Sequence, residues 1–446
     1  MASEGRRPNL TGMIMEANAT NVVIVGGGFA GVACAKRLAD EPGLRVQLVD
    51  RAGYHQFQPL LYQVATAELT FEDIRFDLAR IFHGKDAVKV RKAEVTGIDA
   101  DAMTVTLDDG TILPADYIVL AAGAQPNFFR TPGAEEHTFP LYSVDDARRV
   151  RGRIVQLFEQ VRDRPELIDE GALTFVVVGG GPTGVETAGA LAELIHDVMP
   201  HVYRDAPLGV AEVILVDLGH SLLSAFSDEA GAYAAKQLQR RGAKLRLGVP
   251  VKEIAADRVT LGDGTVIKTR LVVWGGGEQA APVASGAGLP QGRGGRIDVQ
   301  PDLTVPGHPR IYALGDIANI PSGDDILPQL GSVAQQAGRW AGDNIVALTR
   351  GEAASPFHYR DKGIMAMIGR KAAVAEMGAH RHEIHGRLAF AAWLGVHAEL
   401  LGNIGAELKA FVAWAEEFYV RPHHRSASLL EPSRIDMPRI DWDQKG

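Results

Sequence analysis

Residues Asn21–Leu38 read NVVIVGGGFAGVACAKRL, and this stretch decides the fold. Val22 to Val25 are uninterrupted, apolar and β-branched, as suits a parallel strand buried on both faces. Gly26, Gly28 and Gly31 then give G-x-G-x-x-G, and Ala30, Val32, Ala33, Ala35 and Leu38 continue at helical spacing. Each glycine has a physical reason: a tight turn out of the strand, close approach of backbone to a pyrophosphate, and close helix–strand packing. The helix start offers free N–H groups and a positive dipole end to phosphates. A second β-like run, Val46, Leu48 and Val49, ends at Asp50, where an acid can accept from both ribose hydroxyls. Alone, a glycine loop is a tight turn; with strand, helix, second strand and terminal acid in register it predicts a dinucleotide site.

The totals are those of an ordinary globular chain. Its 446 residues, 46% hydrophobic and 23% charged, suffice for about three domains. With 46 Lys and Arg against 55 Asp and Glu, the net charge of −9 argues against nucleic acid as a partner. The 50 glycines include three clusters, Gly26–Gly28, Gly179–Gly181 and Gly275–Gly277, as cofactor-approaching loops would produce. One cysteine, Cys34, lies on the first apolar helix and reads as a small core residue, and a single cysteine excludes a redox-active pair. Met1–Thr20 is polar without an apolar core, so it is neither signal peptide nor membrane span and is expected to be a disordered leader. No segment has the roughly 18 uninterrupted apolar residues of a transmembrane helix. These features predict a cytoplasmic body.

The opening pattern recurs. Thr174–Val178 leads into Gly179, Gly181 and Gly184, a helical run continues to Leu194, and the later strand Val213–Val216 ends at Asp217. A free 2′-OH suits Asp217 and a 2′-phosphate does not, and Leu218-Gly219-His220 offers no arginine in rescue, which favours NADH over NADPH. After each loop comes a predicted β-meander, Ala93–Gly110 and Leu245–Thr269. Each is followed by a strand running into small residues, Asp116–Ala124 with Gly123 and Leu271–Gly277. Pro309–Ile317 is a further buried strand ending in Gly315-Asp316, an acid placed either to bond flavin ribityl hydroxyls or to cap a following helix. Two dinucleotide sites with a closing Gly-Asp strand predict an α/β fold of two Rossmann-like domains in a glutathione-reductase-like arrangement. FAD is expected in the first, a pyridine nucleotide in the second, and the flavin ring between them.

At this point the chain resembles the type II NADH:quinone oxidoreductases, the non-proton-pumping NADH dehydrogenases, over roughly residues 20 to 425. The resemblance rests on Gln58-Pro59-Leu60-Leu61-Tyr62-Gln63-Val64-Ala65-Thr66, on Val178–Glu186, on Val273-Trp274 with its glycines, on Gly315-Asp316 and on Asp361-Lys362-Gly363. It implies that Gly26, Gly28, Gly31, Asp50 and Asp316 bind FAD with Gly123 nearby, and that Gly179, Gly181, Gly184 and Asp217 hold NADH. Glu186 resembles the family's acid facing nicotinamide and flavin, although it also reads as a first-turn glutamate stabilised by the helix dipole. The family's quinone head group sits by an Ala-Gln motif, here Ala334-Gln335-Gln336-Ala337-Gly338-Arg339. Lys362 is either part of that approach or an exposed turn lysine. Arg339 and Glu278 depart from the family pattern and add charge on the acceptor side.

The expected organisation is a leader over 1–20, a discontinuous FAD-binding domain over 21–145 and 290–350, an NADH-binding domain over 146–289, and a C-terminal region over 351–446. In that last region Leu408, Phe411, Val412, Ala415, Phe418 and Tyr419 share one helical face, opposite Lys409, Glu416 and Glu417, and Arg421–Arg425 follows. Such a face serves either peripheral attachment to the inner face of the cell membrane or a protein contact such as a homodimer. The expected activity is hydride transfer from NADH to FAD and two-electron delivery to a membrane quinone. The alternatives are a soluble acceptor or a non-catalytic FAD- and NADH-binding redox sensor. No metal is expected, because the fourteen histidines lack ligand spacing.

Overall fold

The computed structural model describes residues 19–204, 208–378, 380–401 and 437–442. The expected leader and the amphipathic stretch over 408–419 fall outside these residues, apart from residues 19 and 20; Thr20 opens the first strand, its N–H donating to the Gly43 carbonyl at 2.8 Å.

In chain order the principal elements begin with β1 (Thr20–Val25), α1 (Phe29–Leu38), β2 (Leu44–Asp50), β3 (Val88–Lys92), β4 (Tyr117–Leu120), β5 (Phe139–Pro140) and α2 (Val144–Asp163). Next come β6 (Thr174–Val178), α3 (Pro182–Glu193), β7 (Glu212–Asp217), β8 (Lys244–Leu247), β9 (Leu271–Trp274), β10 (Thr304–Val305), β11 (His308–Ala313) and α4 (Gly331–Thr349). Three strands and a helix follow: β12 (Gly363–Gly369), β13 (Ala372–Met377), β14 (His382–His385) and α5 (Arg387–Leu401).

Two compact units emerge. The first contains the described residues of Met1–His55, Phe76–Gln125 and Glu278–Arg360; the second contains those of Gln56–Arg75, Pro126–Gly277 and Asp361–Gly446.

In the first unit the sheet order is β10-β11-β4-β1-β2-β3, parallel except for the β10–β11 pair. Val22, Val23, Ile24 and Val25 are all buried, packed in one core with residues of α1, of α4 and of the antiparallel strands over 95–114. Helix α4 packs on α1 through small residues. A Cβ on Gly338 would lie 2.1 Å from the Ala30 carbonyl oxygen, so the two backbones approach as only glycine allows. Cys34 is fully buried in this core, and burial pushes its thiol up to about 12, the state of an inert packing residue. The first expected meander is a three-stranded antiparallel sheet over residues 95–114.

The second unit repeats the plan. Its parallel sheet runs β5-β9-β6-β7-β8. The second meander differs from expectation at its start: Lys244–Leu247 pairs in parallel with β7, and the antiparallel sheet occupies residues 251–268. The cause is the position of β8 at the sheet edge, where one exposed side permits alternating polar and apolar residues. After residue 361 the chain first forms an antiparallel sheet, β12-β13-β14, and only then the helix α5. A buried network anchors this sheet. Glu193 accepts from Arg241 Nε at 2.9 Å and from the Arg370 N–H at 2.7 Å, while Arg241 Nη2 donates to the Arg370 carbonyl at 2.9 Å.

Candidate active site

The first glycine loop has the geometry of a phosphate cradle. Gly26 sits at φ +105°, and a Cβ there would lie 2.3 Å from the Ala121 carbonyl oxygen; a Cβ on Gly31 would lie 1.9 Å from that of Gly26. Gly28 is different. No atom lies within 4 Å of a Cβ built on it, so its side of the loop is open. It is the N-cap of α1, no side chain caps the helix, and the first turn carries no acid. The N–H groups at this helix start therefore face the open side without a competing carboxylate, which fits an anionic pyrophosphate.

Asp50 ends β2 beside this loop. One carboxylate oxygen accepts from the Gly27 N–H at 2.8 Å, and the other from the N–H groups of Ala52 and Gly53 at 2.8 and 2.9 Å. The acid thus ties the glycine loop to the strand end, and the remaining lone pairs of its oxygens stay available for hydroxyl donors. Gly123, at φ +71°, accepts from the Ala281 N–H at 3.1 Å. Gly315, at φ +69°, lets the turn after β11 approach Ala334 and Ala30, and so brings Asp316 to the α1–α4 side of the sheet. Burial raises the Asp316 carboxyl to about 6, against the opposing pull of Arg296. The helix-cap alternative does not hold, because neither the short turn Gly315–Ile317 nor α4 receives a side-chain cap.

In the second unit Gly179 sits at φ +116°, and a Cβ there would lie 2.4 Å from the Gly275 carbonyl oxygen; a Cβ on Gly184 would lie 1.8 Å from that of Gly179. Gly181, like Gly28, has nothing within 4 Å, and α3 begins after it with Pro182, uncapped and free of first-turn acids. Asp217 accepts from the Gly180 and Gly219 N–H groups, both at 2.6 Å. The two cradles therefore share one construction, down to the acid that clamps the middle glycine of the loop.

Glu186 lies beyond the first turn of α3, which removes the dipole reading of this residue. Its carboxylate accepts from the Met367 N–H of β12 at 3.1 Å. Burial pushes the group up to about 8, Glu68 adds to the rise, and hydrogen bonds from Met367 and Trp393 oppose it, so the carboxyl is mainly neutral at pH 7. Tyr62 and Gln63 from the Gln58–Thr66 stretch are buried against the same strand, with Tyr62 Oη donating to Met367 Sδ at 3.4 Å and Gln63 Nε2 to Tyr62 Oη at 3.2 Å. Trp393 and His397 of α5 stack with ring centroids 4.0 Å apart; burial lowers His397 to about 4 and keeps it neutral.

The acceptor-side candidates are more exposed. Gln335 is half-buried on α4, and Arg339 is exposed one turn later. Lys362 is exposed in the turn before β12, where Asp361 accepts from the Gly363 N–H at 2.8 Å. Gly26, Gly28, Gly31, Asp50, Gly123, Asp316 and Gln335 thus belong to the first unit, and Gly179, Gly181, Gly184, Glu186, Asp217 and Lys362 to the second. The network of Glu193, Arg241 and Arg370 has no signature in the sequence: Arg241 and Arg370 lie 48 and 177 residues beyond Glu193, and no local pattern joins them. Among the described residues no group of His, Cys, Asp and Glu could hold a metal ion, and no helix is long and apolar enough to cross a membrane.

Comparison with known proteins agrees with this geometry. The family model for pyridine nucleotide-disulphide oxidoreductases matches residues 20–338. The chain is 34% identical to the type II NADH:quinone oxidoreductase NdhA of Mycobacterium tuberculosis, over 95% of this chain and 93% of that protein. It is 27% identical to the type II NADH:quinone oxidoreductase of Haemophilus influenzae, over 84% of this chain and 92% of the relative. Its fold matches NDH2 from Plasmodium falciparum, solved in complex with NADH, with a TM-score of 0.83 at 18% identity over 90% of this chain and 99% of that one. With one cysteine in 446 residues, the chain has no pair for disulfide chemistry. Two matched cradles with their clamping acids, and identity that runs almost from end to end, lead to one assignment: the chain belongs to the type II NADH:quinone oxidoreductases, within the pyridine nucleotide-disulphide oxidoreductase family.

Proposed function

We propose that the first cradle holds FAD and the second NADH, and that the residues around them divide the work as follows. The protein is an NADH:quinone oxidoreductase that passes a hydride from NADH to FAD and two electrons onward to a quinone, without pumping protons. Bound FAD supplies the redox relay between a two-electron donor and the quinone. What the chain supplies is position. The α1 start, with Gly26, Gly28 and Gly31, takes the FAD pyrophosphate; Asp50 and Asp316 take its hydroxyls, with Gly123 alongside. The α3 start, with Gly179, Gly181 and Gly184, takes the NADH pyrophosphate, and Asp217 its adenosine ribose.

Glu186, neutral at pH 7 on the α3 face that meets β12, is our candidate for holding a proton at the reacting end of the nucleotide. Gln335 and Lys362 are our candidates for the quinone side. We further place the protein peripherally at the cytoplasmic face of the membrane, where its quinone dissolves. Flotation with anionic vesicles tests that attachment against homodimerisation.

The observation that carries the functional reading is the duplicated loop-and-acid clamp, Gly27–Asp50 and Gly180–Asp217, in a chain that aligns over nearly its whole length with a type II NADH:quinone oxidoreductase. Steady-state assays of the purified flavoprotein with NADH or NADPH and a water-soluble quinone analogue test it. The reading predicts quinone-dependent NADH oxidation with NADPH much the poorer donor. Oxidation of NADH that the quinone does not accelerate would defeat it.

A further inference from the structure

One face of α2 carries polar groups that nothing else in the proposed reaction uses. Arg153, Gln156 and Gln160 recur at helical spacing, and Arg270 stands beside them just before β9. Arg153 Nη1 donates to the Arg270 carbonyl at 3.4 Å, and the guanidinium groups of Arg149 and Arg153 lie 5.7 and 5.2 Å from the Phe139 ring. Arg270 is only 5% exposed. Arg153 Nε, Gln156 Oε1 and Arg270 Nε are buried without a hydrogen-bond partner among the described residues. These three atoms stay unpaired with residues 437–442 in place, so the contacts to that segment are made by other atoms of Gln156 and Arg270.

A peptide lies on this face. Gln156 Nε2 donates to the Pro438 carbonyl at 3.4 Å, Arg270 Nη1 donates to the Asp441 carbonyl at 3.3 Å, and Trp442 Nε1 donates to Gln160 Oε1 at 3.0 Å. The Arg270 guanidinium sits over the Trp442 ring at 4.6 Å. Two donors therefore read backbone carbonyls, while one indole is recognised by both its N–H and its π face. The charge of Asp441 favours the Arg270 cation.

We propose that Gln156, Gln160 and Arg270, the last held by Arg153, form a peptide-binding site for a segment carrying Asp-Trp, and that its occupant is this chain's own segment 437–442. The segment acts as a latch that fastens the chain's end to the second unit at the entrance of β9. Because peptide and site belong to one chain, docking is intramolecular, so a few modest contacts suffice to keep it docked.

Limited trypsin digestion of the full-length flavoprotein tests the latch through the initial rate of cleavage after Arg439, followed by mass spectrometry of fragments that begin at Ile440. Docking predicts slow cleavage in the parent protein and at least ten-fold faster cleavage in Trp442→Ala. Gln160→Ala, a change on the helix surface, speeds it less. Adding Arg270→Met speeds cleavage less in the Trp442→Ala background than in the parent protein, because the two residues share one contact. Unchanged NADH oxidation and unchanged cleavage at internal sites identify release of the segment rather than loss of fold. Equal rates in the parent and Trp442→Ala would overturn the proposal, and protection that disappears on dilution would assign the contact to the segment of a second copy instead.

Discussion

The Met367 N–H donates to the Glu186 carboxylate at 3.1 Å, and this bond joins the Glu193 network in tying the helix after the second cradle to the C-terminal sheet. The bond favours the charged carboxylate, yet burial prevails and raises the group to about 8 from an ordinary 4.5. In the unfolded chain the carboxyl loses its proton near pH 4.5, whereas the folded protein keeps it to about pH 8. The stability linked to this group is therefore fully present below pH 4.5 and is lost as pH rises through 8. Glu186→Gln keeps a neutral side chain throughout and is expected to flatten this decline. Thermal melts between pH 5 and 9 should show the two proteins diverging by on the order of 2–4 kcal/mol, allowing for partial contact with water. Parallel profiles would place the Glu186 titration near that of a free carboxyl.

Gly28 and Gly181 separate cofactor binding from folding. Both have extended backbone at φ −74° and open space where a Cβ would go, so Gly28→Ala and Gly181→Ala should fold with stability changes within about 1 kcal/mol. The methyl group nevertheless occupies the proposed pyrophosphate approach. Gly28→Ala should then purify with reduced flavin, and Gly181→Ala with normal flavin and an NADH KM raised roughly ten-fold or more. By contrast, Gly31→Ala and Gly184→Ala force a Cβ to within 2 Å of a carbonyl oxygen and should lower the yield of folded protein. Absorbance ratios of flavin to protein, the KM for NADH and the yield of soluble protein together read the four variants.

Asp217→Ala should narrow the preference for NADH. The change removes the acceptor of the Gly180 and Gly219 N–H groups together with the charge that repels a 2′-phosphate. We expect kcat/KM for NADH to fall about ten-fold or more, and the NADPH to NADH ratio to rise. A fall by equal factors for both nucleotides would confine Asp217 to holding the loop.

Much of this fold was legible because its strongest elements are local. Val22–Val25 and Thr174–Val178 announce buried parallel strands by composition, each glycine loop follows at once, and Asp50 and Asp217 mark the ends of the next strands. Their backbone partners were not legible, since a carboxylate that can accept from ribose hydroxyls can equally accept from the N–H groups of Gly27 or Gly180. The sheet of β12, β13 and β14 was hidden for another reason. Met365, Ala366, Met367, Ala372, Ala373 and Ala375 are residues of helical propensity, held in strands by tertiary pairing and by the buried Glu193 network. Lys371 at φ +60° turns the chain between β12 and β13 where a glycine would have been the visible signal. Residues 437–442 gave no sign of docking because their partners on α2 lie some 280 positions away.

On the acceptor side, Gln335→Ala should leave reduction of the flavin by NADH unchanged and raise the KM for quinone about three-fold or more, since the residue is half-buried on α4 and clamps no glycine loop. A slower first half-reaction would instead place Gln335 on the nucleotide side.

The central claim is that one chain carries an NADH site and an FAD site that exchange a hydride. Anaerobic rapid mixing of the purified yellow protein with NADH, monitored at the flavin absorbance maximum, tests it most directly. The account predicts bleaching of the flavin within the turnover time, followed by full return of colour when a quinone analogue is added. A flavin that stays oxidised under excess NADH, or bleaches far more slowly than steady-state turnover, would contradict it.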